Sequence, residues 1–98
     1  MILEHAVLNV VPNEAQAFEE AFGHASAIIA SMSGFRSLRL ERCLESPSRY
    51  LLLVEWNTLE DHTEGFRGSA GYQAWRELLH RFYHPFPVVE HFELVLRL

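Results

Sequence analysis

The stretch FRSLRLERCLESPSRYLLLVEW, Phe35 to Trp56, holds the reading on which the fold turns. From Phe35 onward Leu38, Leu40 and Leu44 alternate with Ser37, Arg39, Glu41 and Cys43, the period-two pattern of a half-buried strand, with Arg42 interrupting the apolar face. Glu45-Ser46-Pro47-Ser48 is a turn signal, and Arg49 to Trp56 follows as a second strand, so the pair reads as a β-hairpin.

A helix flanks the hairpin on each side. Upstream, Phe18, Ala21, Phe22, Ala25, Ile28, Ile29 and Met32 recur at spacings of three and four, one apolar stripe with Asn13 as expected N-cap, Gln16 three residues on and Gly34 as stop. Downstream, Thr58 is expected to cap a short helix through Glu64, Gly65 to Gly68 to break it, and Ser69 to cap a second helical piece running to about Tyr83. His84-Pro85-Phe86-Pro87 ends that piece, because residues before proline avoid the helical region. The outermost segments, Ile2 to Val11 and Val88 to Leu98, read as strands, the first ended by Pro12. The order strand, helix, strand, strand, helix, strand predicts an α+β, ferredoxin-like βαββαβ fold, expected to fill residues 1–98 as a single domain.

Such a sheet carries both helices on one face, yet Tyr50-Leu51-Leu52-Leu53-Val54 is apolar at both parities, and so is the last strand. A second cover is implied, most simply another copy in a two-fold, sheet-against-sheet homodimer; the alternative is the ordinary presence of a few exposed apolar side chains.

Composition removes several kinds of chemistry. All eight basic residues are arginine and the formal net charge is -5. No lysine is present for a Schiff base or a phosphate loop, and no dense basic stripe exists for nucleic acid. Asp61 is the only aspartate, which excludes calcium loops and aspartate-built magnesium sites, and Cys43 is the only cysteine, which excludes an internal disulfide and a cysteine-built zinc site. A reducing, cytoplasmic setting is the expectation; Met1 to Val11 lacks the form of a secretion signal, and no apolar run is long enough to span a membrane.

Chemistry concentrates between Trp56 and Phe82. Leu59, His62 and Phe66 share one face of the short helix, and Tyr72, Trp75, Leu79 and Phe82 form the stripe of the next, with Arg76 one turn from Tyr72. If both stripes face the sheet, Trp56, His62, Phe66, Tyr72, Trp75 and Arg76 surround one apolar space with polar tips, suited to a flat organic ligand. His62 could there take a proton from a phenol or enol. The same spacing is equally that of a packed aromatic core around a hydrogen-bonded histidine. His80 and His84 have the i, i+4 spacing of metal ligands, but His84 precedes Pro85 and no third ligand is evident, so no metal site is assigned. His5 and His91, on the terminal strands, read as a surface pair of neighbours across the sheet, and His24 as exposed.

Leu53-Val54-Glu55-Trp56, His62, Phe66, Ser69, Tyr72 and Trp75, followed by Pro87-Val88-Val89-Glu90-His91-Phe92, resemble the antibiotic biosynthesis monooxygenase (ABM) domain family and its small quinol monooxygenases. The resemblance spans essentially the whole chain. It implies a dimeric α/β barrel with a pocket between helices and sheet in each protomer. It also implies oxidation of a small phenolic, quinol or anthrone-like aromatic by O2 with no cofactor, neither flavin, haem nor metal. On that scheme His62 is base or proton relay, Trp56, Phe66, Tyr72 and Trp75 are pocket walls, and Arg76 stabilises the substrate anion, with Arg67 as the other cation near the pocket. Anthrone-oxidising members carry asparagine and tyrosine where this chain has Leu52 and His62, while their tryptophan and arginine match Trp56 and Arg76. Haem-degrading relatives use asparagine, tryptophan and histidine where Ala6, Phe66 and Trp75 stand, which disfavours that activity. Two other readings remain open: a non-catalytic dimer that binds an aromatic metabolite or serves as structure, and an oxygen-independent isomerase or cyclase using His62 for proton transfer.

Overall fold

Eight-residue strands set the frame of the computed structural model, which describes residues 1–98. Chain order is β1 (Ile2–Asn9), α1 (Ala15–Ala30), β2 (Phe35–Arg42), β3 (Arg49–Trp56), a π turn (Asp61–Phe66), α2 (Ala70–Leu79), a 3₁₀ turn (His80–Phe82) and β4 (Val89–Phe92). The sheet is antiparallel with spatial order β2-β3-β1-β4, the α+β ferredoxin-like arrangement.

Register fixes which side chains meet the helices. Leu8 lies opposite Tyr50, Ala6 opposite Leu52 and Glu4 opposite Val54, so these positions share the covered face. All are buried, and with Trp56 they pack against Phe18, Phe22, Ala25 and Ile29 of α1 and Trp75 and Leu79 of α2. Polar contacts hold α1 to the sheet as well. The Tyr50 hydroxyl donates to Glu19 Oε2 at 2.5 Å, and the Arg42 guanidinium pairs with the same carboxylate, which lowers the pKa of Glu19. No helix is long and apolar enough to cross a membrane.

Several local expectations need correction. Asn13 does not cap α1: it takes a left-handed backbone at φ 73°, and Glu14 stands at the cap with no side-chain hydrogen bond. Asparagine is among the few residues that tolerate that region, so its turn-forming tendency outweighs its capping tendency here. The helix also stops at Ala30, and Met32 lies in the turn beyond it. Gly34 sits in that turn at φ 82°, its carbonyl accepts from Asn57 N at 2.8 Å, and an added Cβ would fall 2.1 Å from the Asp61 carboxylate, so any side chain here is strained and displaces Asp61.

Gly65 does not break the short helix. It lies within the π turn, and the break comes at Gly68. Thr58 does cap: its Oγ1 accepts from Asp61 N at 3.2 Å while Asp61 Oδ2 accepts from Thr58 N at 3.0 Å. Ser69 caps α2, accepting from Tyr72 N at 3.2 Å. The final strand is shorter than expected. It ends at Phe92, and Leu94, Val95, Leu96 and Leu98 are exposed, because β4 lies at the sheet edge and nothing within the chain pairs with them. Phe92 is 47% exposed and Val7 38%, while Leu51 and Leu53 are half-buried, so the face away from the helices keeps an apolar surface.

Candidate active site

Four elements deliver one polar cluster. Glu4 comes from the covered face of β1, Trp56 from the end of β3, His62 from the π turn and His91 from β4, where it lies directly opposite Glu4 in register. Trp56 Nε1 donates to Glu4 Oε1 at 2.9 Å, and His62 Nε2 lies 3.3 Å from the same oxygen. On the other side of the imidazole, His62 Nδ1 is 2.7 Å from His91 Nε2. The Trp56 ring stacks on His62 at 5.6 Å and 20°, which sets the plane of the imidazole. Glu4 is 5% exposed and His62 3%.

Burial controls the charge of this cluster. It pushes the Glu4 carboxyl above its usual range, opposed by the Trp56 hydrogen bond and the Arg67 guanidinium. It pushes His62 down to about 3, helped by Arg67 and then His91, and it lowers His91 as well, again with Arg67. Both imidazoles are therefore neutral at physiological pH, and one nitrogen of each carries a proton. When His91 donates to His62, the His62 proton sits on Nε2 and faces a Glu4 carboxylate. When His62 donates from Nδ1, its Nε2 is bare and Glu4 must hold the proton instead. Two protonation patterns thus share one set of atoms, and they differ by one proton, which the row gains or loses at its ends.

The row borders a cavity of about 370 Å³ between helices and sheet. Its polar wall includes Glu4, His62 and Arg67. Phe66 meets Tyr72 edge-on at 5.2 Å and Trp75 at 5.5 Å, and beyond Tyr72 lie His80, Tyr83 and Phe86 in successive ring contacts. The volume fits one small planar molecule.

His62, Phe66, Tyr72 and Trp75 line this cavity; Trp56 and Arg76 do not. Trp56 is fully buried behind Glu4, where it acts through its N–H. Arg76 is on the solvent side of α2, its guanidinium carbon 5.9 Å from the Tyr72 ring centre. The cation on the cavity wall is Arg67, and the π turn explains it. Arg67 N bonds to His62 O, five residues back, and this wider turn brings residues four and five apart to one side, so Phe66 and Arg67 both follow His62 toward the cavity. Leu59, expected on that face, is 39% exposed.

Sequence reasoning missed Glu4 and His91. Glu4 was legible from parity, since it shares that of Ile2, Ala6 and Leu8 on the apolar side of its strand. His91 required the β1–β4 register: His5 pairs with Glu90 and lies against Phe92, so His5 and His91 occupy opposite faces of the sheet. His80 and His84 also separate, His80 lining the cavity and His84 lying exposed. No three His, Cys, Asp or Glu side chains are gathered as metal ligands.

The comparisons agree with this architecture. The antibiotic biosynthesis monooxygenase family model matches residues 1–78, and the chain belongs to that family. The uncharacterised protein YczJ of Bacillus subtilis is 56% identical over 93 residues, covering 95% of this chain and 98% of its own. A candidate antibiotic biosynthesis monooxygenase from Bordetella bronchiseptica superposes with a TM-score of 0.92 at 35% identity, covering 97% of both chains. SnoaB of Streptomyces nogalater, described as a cofactor-independent oxygenase, superposes at 0.84 with 16% identity over 99% of this chain and 96% of its own, a likeness of fold.

Proposed function

We propose that this protein is a cofactor-independent monooxygenase that oxidises a small phenolic, quinol or polyketide-like aromatic with O2. The observation that carries the proposal is the unbroken row Glu4, His62, His91, whose first two members line an aromatic-walled cavity. Family membership and the fold shared with SnoaB support it.

The reaction asks little of a protein beyond a proton acceptor, a shaped apolar site and a stabilised anion. At an acidic ring methylene, one C–H bond breaks, its proton passes to the cluster around His62, and the electron pair stays on the ring as a delocalised anion. That anion reduces O2 and bonds to it, the resulting peroxide recovers the proton, and loss of water leaves a carbonyl. A methylene and O2 thereby become a carbonyl and water. Phe66, Tyr72 and Trp75 hold the ring, and Arg67 takes the anion-stabilising part that the family resemblance gave to Arg76.

Oxygen uptake with a panel of anthrones and dihydroquinones, without added flavin or metal, tests this. At least one compound is expected to be oxidised about tenfold faster than it autoxidises, and His62→Ala to lower that acceleration about tenfold or more. A panel in which no compound exceeds autoxidation would sink the oxygenase reading; conversion of a panel compound without oxygen would favour an isomerase or cyclase.

We also propose that a second copy covers the open sheet face around Leu53 and Phe92. The expected solution mass is twice 11.4 kDa by light scattering, with Leu53→Glu reverting to monomer. A monomeric parent protein rejects this.

A further inference from the structure

We infer that Glu4, through its Oε2 atom, is the group that first takes the substrate's proton, and that His62 and His91 are positioning residues that hold and re-tune it. This rests on the oxygenase reading for its substrate class, but concerns only the proton-transfer half of the reaction.

Each nitrogen of His62 already faces a protein atom. Nε2 faces Glu4 Oε1 at 3.3 Å and Nδ1 faces His91 Nε2 at 2.7 Å. A substrate could bond to His62 only by displacing one of them. Glu4 divides its oxygens differently. Oε1 collects the Trp56 N–H and the His62 contact, while Oε2 has no protein hydrogen bond and is not sealed off, the one buried side-chain atom left without a partner being His5 Nδ1. The free carboxylate oxygen belongs to a residue of the cavity wall.

Charge balance favours the same assignment. When a C–H bond breaks and Oε2 takes the proton, the negative charge moves from the carboxylate to the ring and the site gains no net charge. The groups facing Glu4 are His62 and Arg67 around the π turn, His91 on β4, and Tyr83. Only Arg67 among them is charged at neutral pH, and it serves the anion on either side of the transfer. Burial raises Glu4, and a carboxylate shifted toward the working pH is a better proton acceptor than one at its ordinary value. His62, pushed down to about 3, is a weak one.

The decisive measurement is anaerobic exchange of the anthrone methylene protons in D2O, followed by NMR. The parent protein is expected to accelerate exchange. Glu4→Gln, whose amide oxygen can still accept from Trp56, is expected to lower the acceleration about a hundredfold, Glu4→Asp to restore part of it, and His62→Gln to lower it no more than about tenfold. Exchange in the parent protein should rise with pH along a limb that Glu4→Gln removes and His62→Gln shifts but keeps. Near-UV circular dichroism and urea melts check that each variant is folded.

Glu4→Gln within threefold of the parent, a flat profile in His62→Gln, or no acceleration by the parent protein would each overturn the assignment. Admitting O2 to the same samples separates the two claims: exchange without oxygen uptake leaves Glu4 in place and removes the oxygenase reading, whereas oxygen uptake that survives Glu4→Gln does the reverse.

Discussion

Trp56→Ala is expected to leave little folded protein at 37 °C, while Trp56→Phe folds but is weakened by about 1–3 kcal/mol. Trp56 is fully buried, stacked on His62, edge-on to Phe35 at 6.0 Å and 5.9 Å from Phe66. Truncating a buried tryptophan costs about 3–5 kcal/mol, and removing the N–H leaves the buried Glu4 carboxyl without that donor at a further 1–3 kcal/mol or so. Together these approach the roughly 5–15 kcal/mol that holds a domain of this size. Phenylalanine keeps most of the ring and removes the donor, so it isolates the hydrogen bond. Because that bond lowers the Glu4 pKa, Trp56→Phe also moves the acidic limb of exchange to higher pH. Urea melts of the two variants check the pair; equal stability of Trp56→Phe and the parent protein would show that the N–H contributes nothing.

Lowering the pH from 7 to 5 is expected to remove about 2 kcal/mol of stability through His62 alone. The unfolded imidazole takes its proton near 6.5, whereas the folded one, buried beside Trp56, holds off until about 3. Between those values the unfolded state binds more protons, so stability falls with falling pH at about 1.4 kcal/mol per unit, roughly 5 kcal/mol over the whole interval. Glu4 works in the opposite direction. Its folded pKa lies above 4.5, so its buried carboxylate costs stability at neutral pH, a cost relieved as the pH falls through the folded value. His91 and His80, both lowered by burial, add to the loss. Comparing the parent protein with His62→Gln at pH 7 and 5 isolates the His62 contribution. The variant should lose about 2 kcal/mol less over this range, and parallel losses would refute the assignment.

The fold was legible because its signals are local. The period-two run before Glu45, the period-three-and-four stripe from Phe18 to Ile29 and the proline-rich stop after Tyr83 each place an element without knowledge of any other. The site was legible only where it lies along one element. His62, Phe66, Tyr72 and Trp75 came from helical spacing, and that spacing carries over tolerably even into a π turn. It fails by one position at the turn's end, where Arg67 reaches the cavity, while Arg76, next to the inward Trp75 on α2, faces solvent. Glu4 and His91 belong to strands far apart in sequence, and only the register of β1 against β4 joins them; a slip of one residue would have put His91 on the other face. The exposed tail after Phe92 was misread for a related reason: its alternation is that of a strand, but a strand needs an edge to bind.

The position of β4 also bears on how relatives of this chain are to be sorted. The family model ends at Leu78, before Tyr83 and well before His91. Kinship and the outer end of the proton row are thus written in different parts of the polypeptide. Two proteins can agree throughout the matched region, carboxylate and inner imidazole included, and still differ in whether that imidazole has a second one behind it, so classifying them by chemistry begins where classifying them by descent leaves off.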